Sequence, residues 1–228
     1  MITTLLWDID GTILDFIKSE NYAIRRCFEI FGLGNCDDEM IKRYSKINDT
    51  YWERLQKGEI SKIEVLEGRF KEFFAKENIK CDKISEFNLE YQLRLSDNIY
   101  FTPNALKVLK DFKGKFKQYA VTNGTLRAQE RKLKNSGLNE IFDDVFISDV
   151  IGYEKPSVEF FNAVEDKIGK FIPSEVMIIG DSISSDIQGG NNANILTCWY
   201  NPLNKTNKDN VKVDYHIKDF NELYEILK

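Results

Sequence analysis

The chain has 228 residues, enough for one large domain or for one that carries an insertion, and its 42% hydrophobic content supports a packed core and excludes disorder. Its 32 basic and 37 acidic residues are interspersed, with a net charge of −5. That balance offers no broad basic surface to a nucleic acid polymer, so any phosphate binding must be local.

His216 is the only histidine, which leaves almost no room for serine–histidine hydrolysis, histidine-phosphate chemistry or multi-histidine zinc sites. The four cysteines, Cys27, Cys36, Cys81 and Cys198, form no C-x-x-C pair and read as reduced thiols. No basic leader precedes an apolar stretch, and no apolar run is long enough to span a bilayer. The expectation is a soluble, cytoplasmic protein, monomer or dimer, with no membrane partner. Its chemistry must run on carboxylates, hydroxyls and lysine, with or without a hard metal.

In chain order, the apolar run Ile2 to Trp7 predicts a buried strand that stops at Asp8-Ile9-Asp10-Gly11-Thr12. Four helices follow. The first carries Tyr22, Ile24, Cys27, Phe28 and Phe31 and stops at Gly32 and Gly34. The second is capped by Asp37 or Asp38 and runs to Gly58. The third opens on the capping box Ser61-x-x-Glu64, and the fourth spans about Lys83 to Leu95. Nothing between Phe16 and Ser96 reads as a strand, so residues 16–96 are expected to form an all-helical domain. It interrupts an α/β core made of residues 1–15 and 97–228.

Pro103 predicts the start of a further helix, and strands and helices then alternate. Strands are expected at Phe116–Thr122, Asp144–Ser148, Val176–Gly180, Ile195–Tyr200 and Val213–Ile217. Helices are expected at Leu126–Ser136, Ser157–Ile168, Ile183–Asn192 and Asn221–Leu227. Such alternation implies a Rossmann-like parallel sheet with helices on both faces.

Ligands of open α/β sheets bind at the carboxyl ends of strands, and four such places here carry polar groups. Asp8 and Asp10 end the first strand, and Gly11 lets the backbone turn sharply behind them. Thr122-Asn123-Gly124 ends the second, although Thr122 or Thr125 could equally cap the next helix. Lys155 precedes Pro156 before another helix, where a lysine is either a surface charge or aimed inward. Asp181 and Asp186 follow the strand ending at Gly180, and one of them could simply cap a helix. Together they supply a carboxylate nucleophile, a second acid, a hydroxyl, a cation and metal ligands, the parts that phosphoryl transfer needs.

In this order, Asp8-x-Asp10-Gly11-Thr12, Thr122-Asn123-Gly124, Lys155-Pro156 and Gly180-Asp181-x4-Asp186 resemble the motifs of the haloacid dehalogenase superfamily, most of whose members are phosphatases. The resemblance implies that Asp8 becomes an aspartyl phosphate and that Asp10 acts as general acid and then general base. It implies Mg²⁺, or Mn²⁺, on Asp8, the Asp10 backbone carbonyl and Asp181. Thr122, Lys155 and the N–H groups near Asn123, Gly124 and Gly11 would meet the phosphate oxygens. Asp186 would steady Lys155 from behind the metal ligands. The acid at position 10 favours phosphate over carbon–halogen chemistry, and the order of the motifs argues against a response-regulator receiver.

The helical insert stands where the family places a cap that selects the leaving group. Asn48-x3-Trp52-x5-Gly58, Gly68-Arg69-Phe70, Gly189-Gly190-x-Asn192-Ala193 and Thr197-Cys198-Trp199 resemble the noncanonical pyrimidine 5′-nucleotidase branch. That implies a nucleoside monophosphate substrate such as UMP, dUMP or dTMP. Phe16 or Trp52 is a candidate to stack on a base and Asn48 to pair with its edge. The aromatic residues Tyr44, Tyr51, Trp52 and Phe70 also suit a helical core, and Arg69 a surface ion pair. A sugar-phosphate phosphatase, a phosphoglucomutase-like phosphotransferase and a non-catalytic nucleotide-binding protein are the alternatives.

Overall fold

The computed structural model describes residues 1–228. The chain divides into two compact units, Met1–Asp15 with Tyr100–Lys228, and Phe16–Ile99. After strand β1 (Thr4–Trp7) the second unit supplies helices α1 (Phe16–Phe31), α2 (Asp38–Gln56), α3 (Lys62–Lys76) and α4 (Ile84–Arg94). The first unit resumes with α5 (Ala105–Phe112), β2 (Lys117–Thr122), α6 (Leu126–Ser136), β3 (Asp144–Ile147), α7 (Ser148–Ile151) and α8 (Val158–Ile168). It closes with β4 (Val176–Gly180), α9 (Gln188–Asn192), β5 (Leu196–Tyr200), β6 (Tyr215–Ile217) and α10 (Leu223–Ile226).

All six strands are parallel, in the order β3-β2-β1-β4-β5-β6. The first strand therefore sits between β2 and β4, where the chain switches from building one half of the sheet to building the other. That switch point opens a crevice at the carboxyl ends of the strands. Every residue of β4 is buried, as expected for a central parallel strand covered on both faces. On one face Leu6, Val121 and Ile178 pack with Phe160, Phe161 and Val164 of α8. Trp7 has Phe220 for a neighbour, with ring centroids 6.0 Å apart.

Three local details differ from the sequence expectation. The third strand ends at Ile147, and Ser148 instead opens α7, a single turn closed at Gly152 and too short to show a helical period. The stretch after β4 is not one helix: Ile183–Ile187 is a wide π-type turn that leads into α9. There the Ile187 amide reaches back to the Ser182 carbonyl at 3.2 Å, and the Ser182 hydroxyl caps the turn by accepting from the Ser185 amide. The wider turn carries Asp186 back over the strand end, a use often made of such turns at functional sites. Helix α5 begins two residues after Pro103, because Asn104 adopts a left-handed conformation that asparagine tolerates.

The helical unit is organised around aromatic packing. Phe70 stacks on Tyr44 at 5.3 Å and meets Phe87 and Tyr91 edge-on at 5.0 and 5.2 Å. Such contacts add about 0.5–1.5 kcal/mol each beyond area burial. Asp37 caps α2, and Ser61 with Glu64 forms the full capping box of α3. Tyr44 and Phe70 are thus core, Tyr51 packs against that core, and Phe16, at the start of α1, also packs against it.

Arg69 is not a surface residue. It is 2% exposed, donates to Asn48 Oδ1 at 2.6 Å and to Asn88 Oδ1 at 3.2 Å, and lies over the rings of Phe70 and Tyr91. Asn48 completes the chain by donating to Glu20 Oε1 at 3.0 Å. Its amide is engaged on both sides inside the unit. No helix of the chain is long and apolar enough to cross a membrane.

Candidate active site

The site grows from the sheet register. The Asp8 amide donates to the Ile179 carbonyl of the adjacent strand at 3.0 Å, so β1 and β4 deliver Asp8 and Asp181 to neighbouring places. Gly11, at φ +92, turns the chain away behind them. A side chain there would be doubly excluded, since a Cβ on Gly11 would lie 2.7 Å from Asp181 Oδ1.

Lys155 is the centre of the arrangement. Only 1% exposed, it donates from Nζ to Asp8 Oδ1 at 2.9 Å, to Asp186 Oδ1 at 2.6 Å and to the Val121 carbonyl at 2.7 Å. An ammonium has three protons, and all three are used. It is therefore an inward lysine and not a surface charge. Asn123 anchors its main chain: the Asn123 amide donates to the Lys155 carbonyl and accepts from the Lys155 N–H, both at 2.8 Å. The Lys155–Pro156 peptide is cis.

Thr12 links the two carboxylate-bearing strand ends. Its hydroxyl donates to Asp8 Oδ2 at 2.9 Å and accepts from the Asp181 amide at 3.0 Å. Asp181 is pinned further by the Trp199 indole, which donates to its carbonyl at 2.9 Å, and has Lys205 Nζ 3.6 Å from its carboxylate. Asp186 accepts from the Ser182 amide at 3.1 Å. Thr122 is buried and accepts from the Gly124 amide at 3.0 Å, while Thr125 makes no capping bond with its side chain.

Burial, and then the negative charge of Asp186, pushes Asp8 up to about 7 against the opposing pull of Lys155 and Thr12. Burial and the Asp8 charge raise Asp181 to about 6. Asp186 is also raised, first by burial, in spite of Lys155. Burial pulls the Lys155 ammonium down, but Asp186 and Asp8 outweigh it and hold the group above its ordinary value.

One ammonium thus faces several crowded carboxylates. Oxygens of Asp8, Asp181 and Asp186 all lie within 4.8 Å of one another. Buried, mutually repelling, oxygen-only ligands fit a small hard divalent cation, whose charge relieves the repulsion.

Asp10 stands apart from this cluster. Its Oδ1 accepts from Lys132 Nζ at 2.5 Å and its Oδ2 from Gln129 Nε2 at 2.6 Å. The Asp10 carboxylate is thus committed to two donors on α6. Neither residue stands out from sequence motifs. The signal that was available is periodic: Ala128, Gln129, Lys132 and Leu133 form the buried stripe of α6, so two of its four inward positions are polar. Trp199, Thr12 and Ser182 are likewise contributors that spacing alone does not assign to the site. Phe16 belongs to the helical unit.

The sequence profile of the haloacid dehalogenase-like hydrolases matches residues 2–194. The HAD-hydrolase YfnB of Bacillus subtilis is 35% identical over 98% of this chain and 94% of its own. A crystal structure of YfnB bound to magnesium superposes with a TM-score of 0.94, covering 100% of this chain and 99% of that one at 34% identity. The pyrimidine 5′-nucleotidases PynA of Streptococcus pneumoniae and YjjG of Escherichia coli are 32% and 28% identical, each over 98% of this chain, covering 94% and 96% of theirs. With its parallel sheet, its strand-end carboxylates and its buried lysine, the chain belongs to the haloacid dehalogenase-like hydrolases.

Proposed function

We propose that this hydrolase is a Mg²⁺-dependent phosphomonoesterase of nucleoside 5′-monophosphates, acting on pyrimidine nucleotides such as UMP, dUMP and dTMP. The observation that carries the reading is the Asp8–Lys155–Asp186 contact beside an Asp10 held by separate partners. It gives two carboxylates, two residues apart in the chain, two different environments and therefore two different roles. The full-length similarity to PynA and YjjG supports the pyrimidine nucleotide.

In the first half-reaction an oxygen of Asp8 attacks phosphorus, the phosphorus–oxygen ester bond breaks, and the proton on Asp10 passes to the departing 5′-oxygen. In the second, water attacks the same phosphorus and gives its proton to Asp10. The bond to Asp8 then breaks, releasing inorganic phosphate and restoring both carboxyl groups. Lys155, Thr122 and the backbone N–H groups around Gly11, Asn123 and Gly124 meet the equatorial oxygens. Asp8, Asp181 and the main-chain carbonyl of Asp10 would hold the cation, which when bound would supply charge neutralisation at the phosphoryl group. Asp186 keeps Lys155 in place.

The test is phosphate release from nucleoside monophosphates and common sugar phosphates, with Mg²⁺, with Mn²⁺ and with EDTA. Metal-dependent release led by UMP, dUMP or dTMP is expected. A lead for a sugar phosphate would overturn the substrate, isomerised sugar phosphate without free phosphate would overturn hydrolysis, and tight nucleotide binding without turnover would overturn catalysis.

A further inference from the structure

Helix α6 is highly polar, with the sequence Leu126-Arg-Ala-Gln-Glu-Arg-Lys-Leu-Lys-Asn-Ser136, and by composition belongs on the surface. Two of its polar side chains are nevertheless sealed: Gln129 is 0% and Lys132 1% exposed. Burying a lysine and an amide costs free energy that packing alone does not return. Their positions are i and i+3, so they project from one face of the helix. Both reach the same carboxylate, one to each of its oxygens, at 2.5 and 2.6 Å. Asp10 lies 119 and 122 residues away in the chain, so no local turn geometry brings them together.

A third residue makes room for this arrangement. Gly124 has no positive φ, so the conformational reason for a glycine is missing there. A Cβ on it, however, would collide with the Gln129 side-chain amide, which passes directly over that glycine on its way to Asp10. The Thr122-Asn123-Gly124 strand end thus does two separate things. Asn123 anchors Lys155, and Gly124 clears the path of Gln129.

We propose that Lys132 and Gln129 are positioning residues for proton transfer, a two-point clamp that fixes the plane of the Asp10 carboxylate. The inference rests on the phosphomonoesterase reading above and deepens it. A single donor leaves a carboxylate free to rotate about its χ2, whereas donors on both oxygens set that angle. Proton delivery to a leaving oxygen requires the acid to be within hydrogen-bond reach and correctly turned, and small misplacements cost large factors in rate. The cost of burying Lys132 and Gln129 is offset by the ion pair and the hydrogen bond they make with Asp10. Neither residue touches the reacting atoms.

Leaving-group dependence separates positioning of a general acid from a merely structural role. An alkyl ester such as UMP needs its leaving oxygen protonated, whereas p-nitrophenyl phosphate expels a stabilised phenolate that does not. The value of kcat/KM reports the step up to departure of that group. For Lys132→Met and Gln129→Leu, kcat/KM on the alkyl ester that the wild type turns over best, UMP on our reading, is expected to fall at least tenfold. On p-nitrophenyl phosphate it should change less than about threefold, against the roughly 10²–10⁴-fold worth of general acid catalysis to an ester that needs it.

Gln129→Leu, which removes one arm of the clamp without removing a charge, carries the test if Lys132→Met does not fold, as a thermal melt would show. Equal losses on both substrates, or no loss on either, would overturn the clamp while leaving the proposed function standing. A folded wild type that hydrolyses neither ester would overturn that function and the clamp with it.

Discussion

The Lys155 ammonium and the Asp8 carboxylate, 147 residues apart in the chain, meet at 2.9 Å with side chains 1% and 11% exposed. That contact makes Lys155 a structural member of the site as well as a source of positive charge. Lys155→Met is expected to destabilise the fold by roughly 3–5 kcal/mol, because it leaves Asp8 and Asp186 buried without their partner. Urea denaturation followed by circular dichroism would read the change. A loss under about 1 kcal/mol would mean that the carboxylates relax by taking up protons or water.

Asp8→Asn should behave in the opposite way. The amide keeps the shape and removes one of several crowded negative charges, so stability should be unchanged or slightly higher. Phosphate release should fall by at least about 10³-fold, because an amide is a poor nucleophile. A variant retaining wild-type turnover would remove Asp8 from the reaction.

The three clustered carboxylates should make stability depend on metal. Adding Mg²⁺ at millimolar concentration is expected to raise the melting temperature, since a ligand that binds only the folded chain stabilises it by mass action. Asp181→Asn should shrink that rise well below the wild-type value, whatever its activity. An identical rise in both proteins would place the ion elsewhere.

Glu20 gives the helical unit a pH dependence of its own. Burial lifts its carboxyl from the ordinary 4.5 to about 7, against the opposing pull of the Ser45 hydroxyl, which donates to it, and of the nearby Arg69, with Asp49 adding to the rise. The folded value lies above the unfolded one, so the folded chain keeps a proton that the unfolded chain has lost. Stability from this group is present below about pH 4.5 and is lost as pH rises to about 7. The loss is on the order of 3 kcal/mol at 1.36 kcal/mol per pH unit. Glu20→Gln should flatten that slope in melts between pH 5 and pH 8. An unchanged slope would mean that Glu20 stays ionised in the fold.

Asn123 provides the last test. Its two 2.8 Å bonds hold the Lys155 main chain. Asn123→Ala should cost about 1–3 kcal/mol by leaving buried backbone groups unpaired. It should also lower kcat more than it changes KM, because Lys155 is then less well placed when charge shifts during transfer. Steady-state kinetics together with a denaturation curve would separate the two effects; a fully active variant would make Asn123 a folding residue alone.

Much of the molecule was legible from residue order. An apolar run ending in Asp8 and Asp10, the turn at Gly11, and the alternation of strands and helices after Pro103 announce a parallel sheet with acidic strand ends. Ser61-x-x-Glu64 announces its own capping box, and it is there. These features are local, since strand period, turn chemistry and capping depend on residues a few positions apart.

The partner of each polar side chain was not legible in this way. Asn123 appeared as a candidate phosphate contact, and its side chain proved to be the anchor of Lys155. Arg69 suited a surface ion pair and lies inside the helical unit, bonded to Asn48 and Asn88. Lys132 and Gln129 drew no notice on a helix so rich in charge. By itself the sequence determined which elements form and which residues end them, because those choices are made over a few neighbouring residues. Only the tertiary structure decided which carboxylate meets which cation. That pairing is set by the order of strands in the sheet and by which face of α6 is turned inward, and both depend on packing between segments more than a hundred residues apart.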